Sequence, residues 1–124
     1  KIYSEDHEWI EVSEDGKIGT FGISTYAAER LGDIVYVELP ELSIDIQAGE
    51  AIGAVESVKS VSDLLSPVSG KVVQTNAAVE GKPATINQSP EGEGWIAKIE
   101  LADKGELETL MDEDAYVKFI KEES

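Results

Sequence analysis

The chemistry-bearing position in this chain is Lys59, inside Gly53-Ala54-Val55-Glu56-Ser57-Val58-Lys59-Ser60. Val55, Val58 and Val61 favour extended backbone, whereas Ser57, Ser60 and Ser62 favour a turn. The pattern predicts a hairpin whose tip holds the lysine out in water. An amine on a rigid stem suits covalent attachment of a swinging prosthetic arm. A lysine acting as a Schiff-base nucleophile would need a desolvated pocket that lowers its pKa, which a serine-rich turn does not supply.

No other constellation competes with it. His7 is the only histidine, which excludes a histidine metal cluster and leaves a surface histidine near the first strand. With Glu8 alone beside it, it makes no Ser-His-Asp arrangement. Asp112-Glu113-Asp114 lacks the spacing and central glycine of a calcium loop and reads as a helix N-terminus favoured by the dipole. The glycines form neither a phosphate loop nor a dinucleotide fingerprint. Gly49, Gly53 and Gly70 read as backbone necessities near turns.

The elements that must position Lys59 are mostly strands. Glu8 to Val12 and Lys17 to Ile23 flank Ser13-Glu14-Asp15-Gly16, whose Asp-Gly pair is a hairpin signal. Ser24 caps a brief helix through Leu31, with Gly32 at C′ and Tyr26, Ala27 and Leu31 on the face that packs. Ile34 to Val37 reads as a buried strand stopped by Pro40. Ile44 to Gln47, Ala51 to Glu56, Ser60 to Leu65 and Lys71 to Thr75 are further short strands. The segment 76–94 reads mainly as loop, with a turn of helix around Pro83, and Trp95 to Leu101 as a strand. Leu107, Leu110 and Met111 share a helical face. A last helix from about Glu113, capped by Asp112, turns Ala115, Tyr116, Phe119 and Ile120 inward. Gln47 to Gly53 and Ser66 to Val72 echo one another on either side of the lysine. Regular turn signals between short strands predict a compact sandwich or flattened barrel.

Composition bounds the rest. A chain of 124 residues with 41% hydrophobic content has the size and make-up of one globular domain. Its net charge of −16 repels phosphate backbones and anionic lipid and favours docking on basic surfaces. There is no cysteine, hence no disulfide or thiol nucleophile, and any thiol chemistry must come with a cofactor. No run approaches about 20 apolar residues, the length a membrane-spanning helix needs. The start at Lys1, without a basic amphipathic leader, fits both a processed organelle import product and a trimmed bacterial chain.

Several segments in order resemble a known family. Glu56-Ser57-Val58-Lys59 with Ser62-Asp63 and Ser66-Pro67-Val68-Ser69-Gly70 looks like the lipoyl-lysine segment of the glycine cleavage system H proteins. So do His7-Glu8-Trp9, Gly22-Ile23-Ser24, Leu31-Gly32-Asp33-Ile34-Val35 and Val37-Glu38-Leu39-Pro40-Glu41. Ile86-Asn87, Gly94-Trp95 and a tail from Glu106-Leu107 to Tyr116 complete the likeness over nearly the whole chain.

The resemblance implies a mainly β fold, the barrel-sandwich hybrid of lipoyl and biotinyl carriers, with short flanking helices. It implies a single domain over residues 1–124 with C-terminal helices at about 106–122. It implies a non-catalytic, monomeric shuttle with lipoate attached to Lys59 and Glu56 serving recognition by the lipoyl- or octanoyl-transferring enzyme. The partners implied are a pyridoxal-phosphate glycine decarboxylase, a tetrahydrofolate-dependent aminomethyltransferase and a flavin-linked dihydrolipoamide dehydrogenase. Glu8 and Asp63 match acids that line the groove storing the arm. Many relatives have a histidine before the Leu-Gly dipeptide where this chain has Arg30, which alters that groove. The mitochondrial matrix is favoured, with a bacterial cytoplasm as the alternative.

Two carriers on the same fold compete. A biotin carrier sets its lysine between methionines, unlike Val58-Lys59-Ser60. An acyl-carrying lipoyl domain of a 2-oxo acid dehydrogenase shows Asp-Lys-Ala and lacks these terminal extensions. A family offshoot that relays lipoate to other enzymes is a third alternative.

Overall fold

The computed structural model describes residues 1–123. Among the described residues nine strands form two antiparallel sheets without closing a barrel. The first strands are β1 (Ile2–Tyr3), β2 (Glu8–Val12) and β3 (Ile18–Ile23). β2 and β3 are joined by the expected Asp-Gly turn: Gly16 takes φ +74°, and the Asp15 carboxylate accepts hydrogen bonds from the Ser13 hydroxyl and the Lys17 N–H. Helix α1 (Thr25–Leu31) follows, its N-terminus capped by the Ser24 hydroxyl accepting from Ala27 N–H.

The chain continues through β4 (Ile34–Glu38), β5 (Asp45–Ile46), β6 (Ala51–Ser57), β7 (Val61–Leu65) and β8 (Gly70–Thr75). Next come α2 (Ala77–Gly81), α3 (Ala84–Gln88), β9 (Ala97–Leu101), a 3₁₀ turn (Lys104–Thr109) and α4 (Glu113–Glu123). The larger sheet has the order β1-β2-β3-β9-β8-β5 and the smaller β4-β6-β7. The two echoing segments meet: Gly49 N–H donates to Ser66 O at 2.8 Å and Ser66 N–H to Glu50 O at 2.9 Å. Their likeness is that of two turns bonded to each other.

Between the sheets lies a core of Ile10, Phe21, Val37, Val55, Leu64 and their neighbours, all buried. A second cluster on the opposite side of the larger sheet joins Tyr3 and Trp9 to Tyr116 of α4, with the Tyr3 and Tyr116 rings stacked 4.4 Å apart.

Four expectations are corrected. β4 is not uniformly buried: Ile34 and Val37 point inward, while Val35 and Tyr36 are 51% and 56% exposed. A bulge between Ile34 and Tyr36 in the pairing with β6 breaks simple alternation. Segment 76–94 is not mainly loop, since it contains α2 and α3, each with one buried apolar anchor, Val79 and Ile86. Helices that short show no readable period. Leu110 is extended, and Met111 bridges to Tyr3, so those two residues lie on no helix. In α4 Tyr116 is buried, Phe119 and Ile120 are half-buried, and Ala115 faces solvent.

Candidate functional site

The Lys59 hairpin is fixed by hydrogen bonds of its backbone and of the Ser57 side chain. Ser57 N–H donates to Ser60 O at 2.8 Å, and the Ser57 hydroxyl oxygen accepts from the N–H groups of Lys59 and Ser60, both at 3.1 Å. Val58 N–H donates to Asp33 O at 3.0 Å, tying the tip to the turn after α1. That turn is held in place by Asn87: its side chain accepts from Ile34 N–H at 2.9 Å and donates to Gly32 O at 2.8 Å.

Lys59 itself is exposed. Its stem runs beside Gly32, where a Cβ would lie 3.4 Å from the Lys59 Cε. Gly32 also ends α1 at φ +81°, ψ −155°, a conformation that glycine adopts without strain.

A cavity of about 180 Å³ opens between the sheets next to α1. Its apolar walls include Ile23 of β3, Ala27 and Leu31 of α1, and Val55 and Leu64 of β6 and β7. Glu8, Asp63 and Arg30 all line it, so three of the residues singled out from sequence come together. Leu31 and Gly32 are chain neighbours, which sets the Lys59 stem near the wall that α1 provides. Glu56 lies elsewhere, exposed on the outer side of β6.

Glu8 is not an exposed strand carboxylate, because only 3% of it is accessible. Burial pushes its pKa up to about 8, and the nearby Asp6 charge pushes the same way. The Ser4 hydroxyl donates to Oε1 at 2.8 Å, and this bond together with the Leu65 N–H offsets part of the rise. Asp63 is exposed on the edge strand β7. Arg30 turns along α1, donating to the Tyr26 hydroxyl at 2.8 Å with its guanidinium 5.3 Å from that ring.

His7, Ser57 and Asn87, to which the sequence assigned no role in the site, hold it together. His7 is not a free surface histidine: it has φ +68°, and its Nδ1 lies 2.7 Å from the Tyr116 hydroxyl, which lies 2.7 Å from the Ser24 hydroxyl. Its Nε2 is 3.0 Å from a Glu123 carboxylate oxygen. The chain reversal at His7 therefore faces one residue toward α4 and the next, Glu8, into the cavity. Ser57 and Asn87 carried a signal in their preference for turns and local backbone bonding, but a partner 53 residues away is invisible along the chain. Among the described residues no group of acidic or histidine side chains could hold a metal ion.

Comparison with known proteins gives one answer. Residues 1–123 match the family model described as glycine cleavage H-protein. A glycine cleavage system H protein from Thermotoga maritima is 46% identical over 123 residues, covering 99% of this chain and 98% of its own. A mitochondrial glycine cleavage system H protein from Arabidopsis thaliana is 51% identical over 121 residues, 98% of this chain and 76% of its own. In structure, an H protein of the same system from Mycobacterium marinum matches with a TM-score of 0.88. That match has 37% identity and covers 97% of this chain and 95% of the other.

Proposed function

The chain belongs to the glycine cleavage H-protein family, and on that premise we propose that it is the lipoyl carrier of that system, with Lys59 as the point of attachment. The observation that carries this reading is an exposed lysine at the tip of a braced hairpin, beside a cavity with an apolar wall and a buried acid. When attached, lipoate supplies a redox-active disulfide that takes up an aminomethyl group with an electron pair and passes both to other proteins. The chain's own residues position, shelter and present.

The residues present fit that group. The Ser57 turn and the Val58–Asp33 bond fix the root of the tether. Ile23, Ala27, Leu31, Val55 and Leu64 offer an apolar wall of the kind that excludes water from a hydrolysis-prone cargo. Covering three or four methylene groups there contributes roughly 3 kcal/mol, at about 0.8 kcal/mol each, an inward bias of about a hundredfold that a partner interface can reverse.

Glu8 is assigned to a cationic amine brought into the cavity, and Asp63, exposed on β7 at the rim, to the same amine at the mouth. Glu8 is neutral at rest in its buried setting and becomes a charge partner when a cation arrives, with release of its proton. Arg30 lies at the same wall with its guanidinium drawn toward Tyr26, and is assigned a place at the rim. Glu56, on the outer face, is assigned to recognition by the lipoylating enzyme. The partners assigned are the glycine decarboxylase, the aminomethyltransferase and the dihydrolipoamide dehydrogenase, which perform the reactions. The whole of residues 1–124 is assigned to one monomeric carrier unit. The compartment assigned is the mitochondrial matrix, with a bacterial cytoplasm as the alternative; a mitochondrial relative supports the first.

The test is intact mass and peptide mapping after incubation with a lipoate ligase, lipoate and ATP. One lipoyl group on Lys59 is expected, none on Lys59→Arg, and no glycine–bicarbonate exchange from Lys59→Arg with the decarboxylase. Label elsewhere, or unchanged exchange by Lys59→Arg, overturns the assignment. A wild-type protein that is lipoylated but inert in exchange is instead a relay of lipoate to other enzymes.

A further inference from the structure

The outer face of the smaller sheet carries apolar side chains that the fold itself leaves uncovered. Tyr36 pairs with Glu56, and Glu56 with Val61, so one row crosses β4, β6 and β7. Strand alternation sets this row on the side opposite the buried Val37 and Val55. Tyr36 is 56% exposed, Val61 63%, and Val58, adjacent to Lys59 at the tip, 67%. The next row along the strands is Glu38, Ala54 and Asp63, and Asp33 lies beneath the tip. The result is a strip in which Tyr36, Val58 and Val61 surround the Glu56 carboxylate, with Glu38 and Asp63 at its border, reaching the attachment lysine.

We propose that Tyr36, Val58 and Val61, arranged around Glu56, form the docking surface for the enzyme that acylates Lys59. This rests on Lys59 being the attachment point. Attachment is the one encounter with no arm in between. The Lys59 ammonium must first lose its proton, and its lone pair then attacks the carbonyl carbon of an acyl adenylate. The new C–N bond forms as the C–O bond to phosphate breaks, AMP leaves with that electron pair, and the nitrogen gives up a second proton, both protons going to solvent. Nζ must therefore come within bonding distance of the donor, and the enzyme presenting it must cover the hairpin surface around the amine. Every later partner is met across the length of the arm and need not touch this strip. The exposed apolar side chains match the mouth of a site that holds a medium-length acyl chain, and Glu56 among them, with the carboxylates at the border, matches basic groups around that mouth.

The experiment measures initial rates of Lys59 lipoylation on the unmodified full chain, with an adenylate-forming lipoate ligase, lipoate and ATP, read by intact mass. Tyr36→Ser and Val61→Ser are each expected to lower kcat/KM about tenfold through KM, the size of a substantial interface truncation. Val61→Leu retains the wild-type rate, and Val61→Lys, which sets a cation against a basic rim, loses more than Val61→Ser. Val73→Ser, on β8 of the other sheet and 42% exposed in the native chain, stays at the wild-type rate. Melting temperatures alongside separate lost docking from lost folding.

Unchanged lipoylation of Tyr36→Ser and Val61→Ser overturns the proposal. So does unimpaired lipoylation with reduced glycine–bicarbonate exchange by the loaded variants, which assigns the strip to the decarboxylase. A wild-type chain that takes no label at Lys59 fails at the attachment reading itself, a distinct result.

Discussion

Burial holds the Glu8 carboxyl neutral up to about pH 8, far above the ordinary value of 4.5 that the unfolded chain restores. Between those two values the unfolded chain has lost a proton that the folded chain keeps. Unfolding then releases a proton, so this residue's contribution is full below about pH 4.5 and is lost as pH rises through about 8. Asp15 and Glu91 work in the opposite sense. Burial raises Glu91, but hydrogen bonds from the Thr25 N–H, the Tyr3 hydroxyl and the Thr25 hydroxyl outweigh it and leave its pKa lowered. Comparison with Glu8→Gln removes those shared terms. The stability of wild type relative to Glu8→Gln is expected to fall between pH 5 and pH 8, by up to about 1.4 kcal/mol per pH unit. Urea unfolding of both proteins at pH 5, 6, 7 and 8 checks this; a constant difference would show that Glu8 titrates normally. Sequence alone marked Lys59 by the hairpin pattern around it, Glu8 and Asp63 by their likeness to family segments, and Arg30 as a departure from one. It could not show that Glu8 is buried, because burial depends on β7 closing over β2, and those strands lie far apart along the chain.

At the scale of elements, the turn from α1 into β4 is where helix, hairpin and tether root meet. Gly32→Ala must hold alanine at a positive φ and bring a methyl group to 3.4 Å from the Lys59 Cε. It is expected to destabilise the fold by about 1–3 kcal/mol, visible as a lower urea midpoint with unchanged slope. An unchanged midpoint would show that the turn relaxes without cost. The elements themselves were legible where local chemistry decides them. Asp15-Gly16 marked the first hairpin, Ser24 and Gly32 marked both ends of α1, and Asp112 marked the start of α4, where it accepts from Ala115 N–H at 2.8 Å. They were illegible where tertiary contacts decide. One buried side chain each holds α2 and α3, and pairing with Tyr3 draws Met111 out of any helix.

For the molecule as a whole, the charge of −16 is a long-range property that no single contact expresses. Association of the loaded carrier with the glycine decarboxylase is expected to slow at least about tenfold between low salt and 0.5 M salt, as screening shortens to a few ångströms. Stopped-flow association rates check this, and a flat salt dependence would remove steering from the account. The two-sheet architecture has a different consequence. No strand of β4-β6-β7 pairs with a strand of the larger sheet among the described residues, and the cavity sits along that unsealed seam. A guest can slide in or out by parting side chains, with every rung of both ladders left intact. Filling or emptying that cavity therefore asks nothing of the strand pairing that holds the fold together.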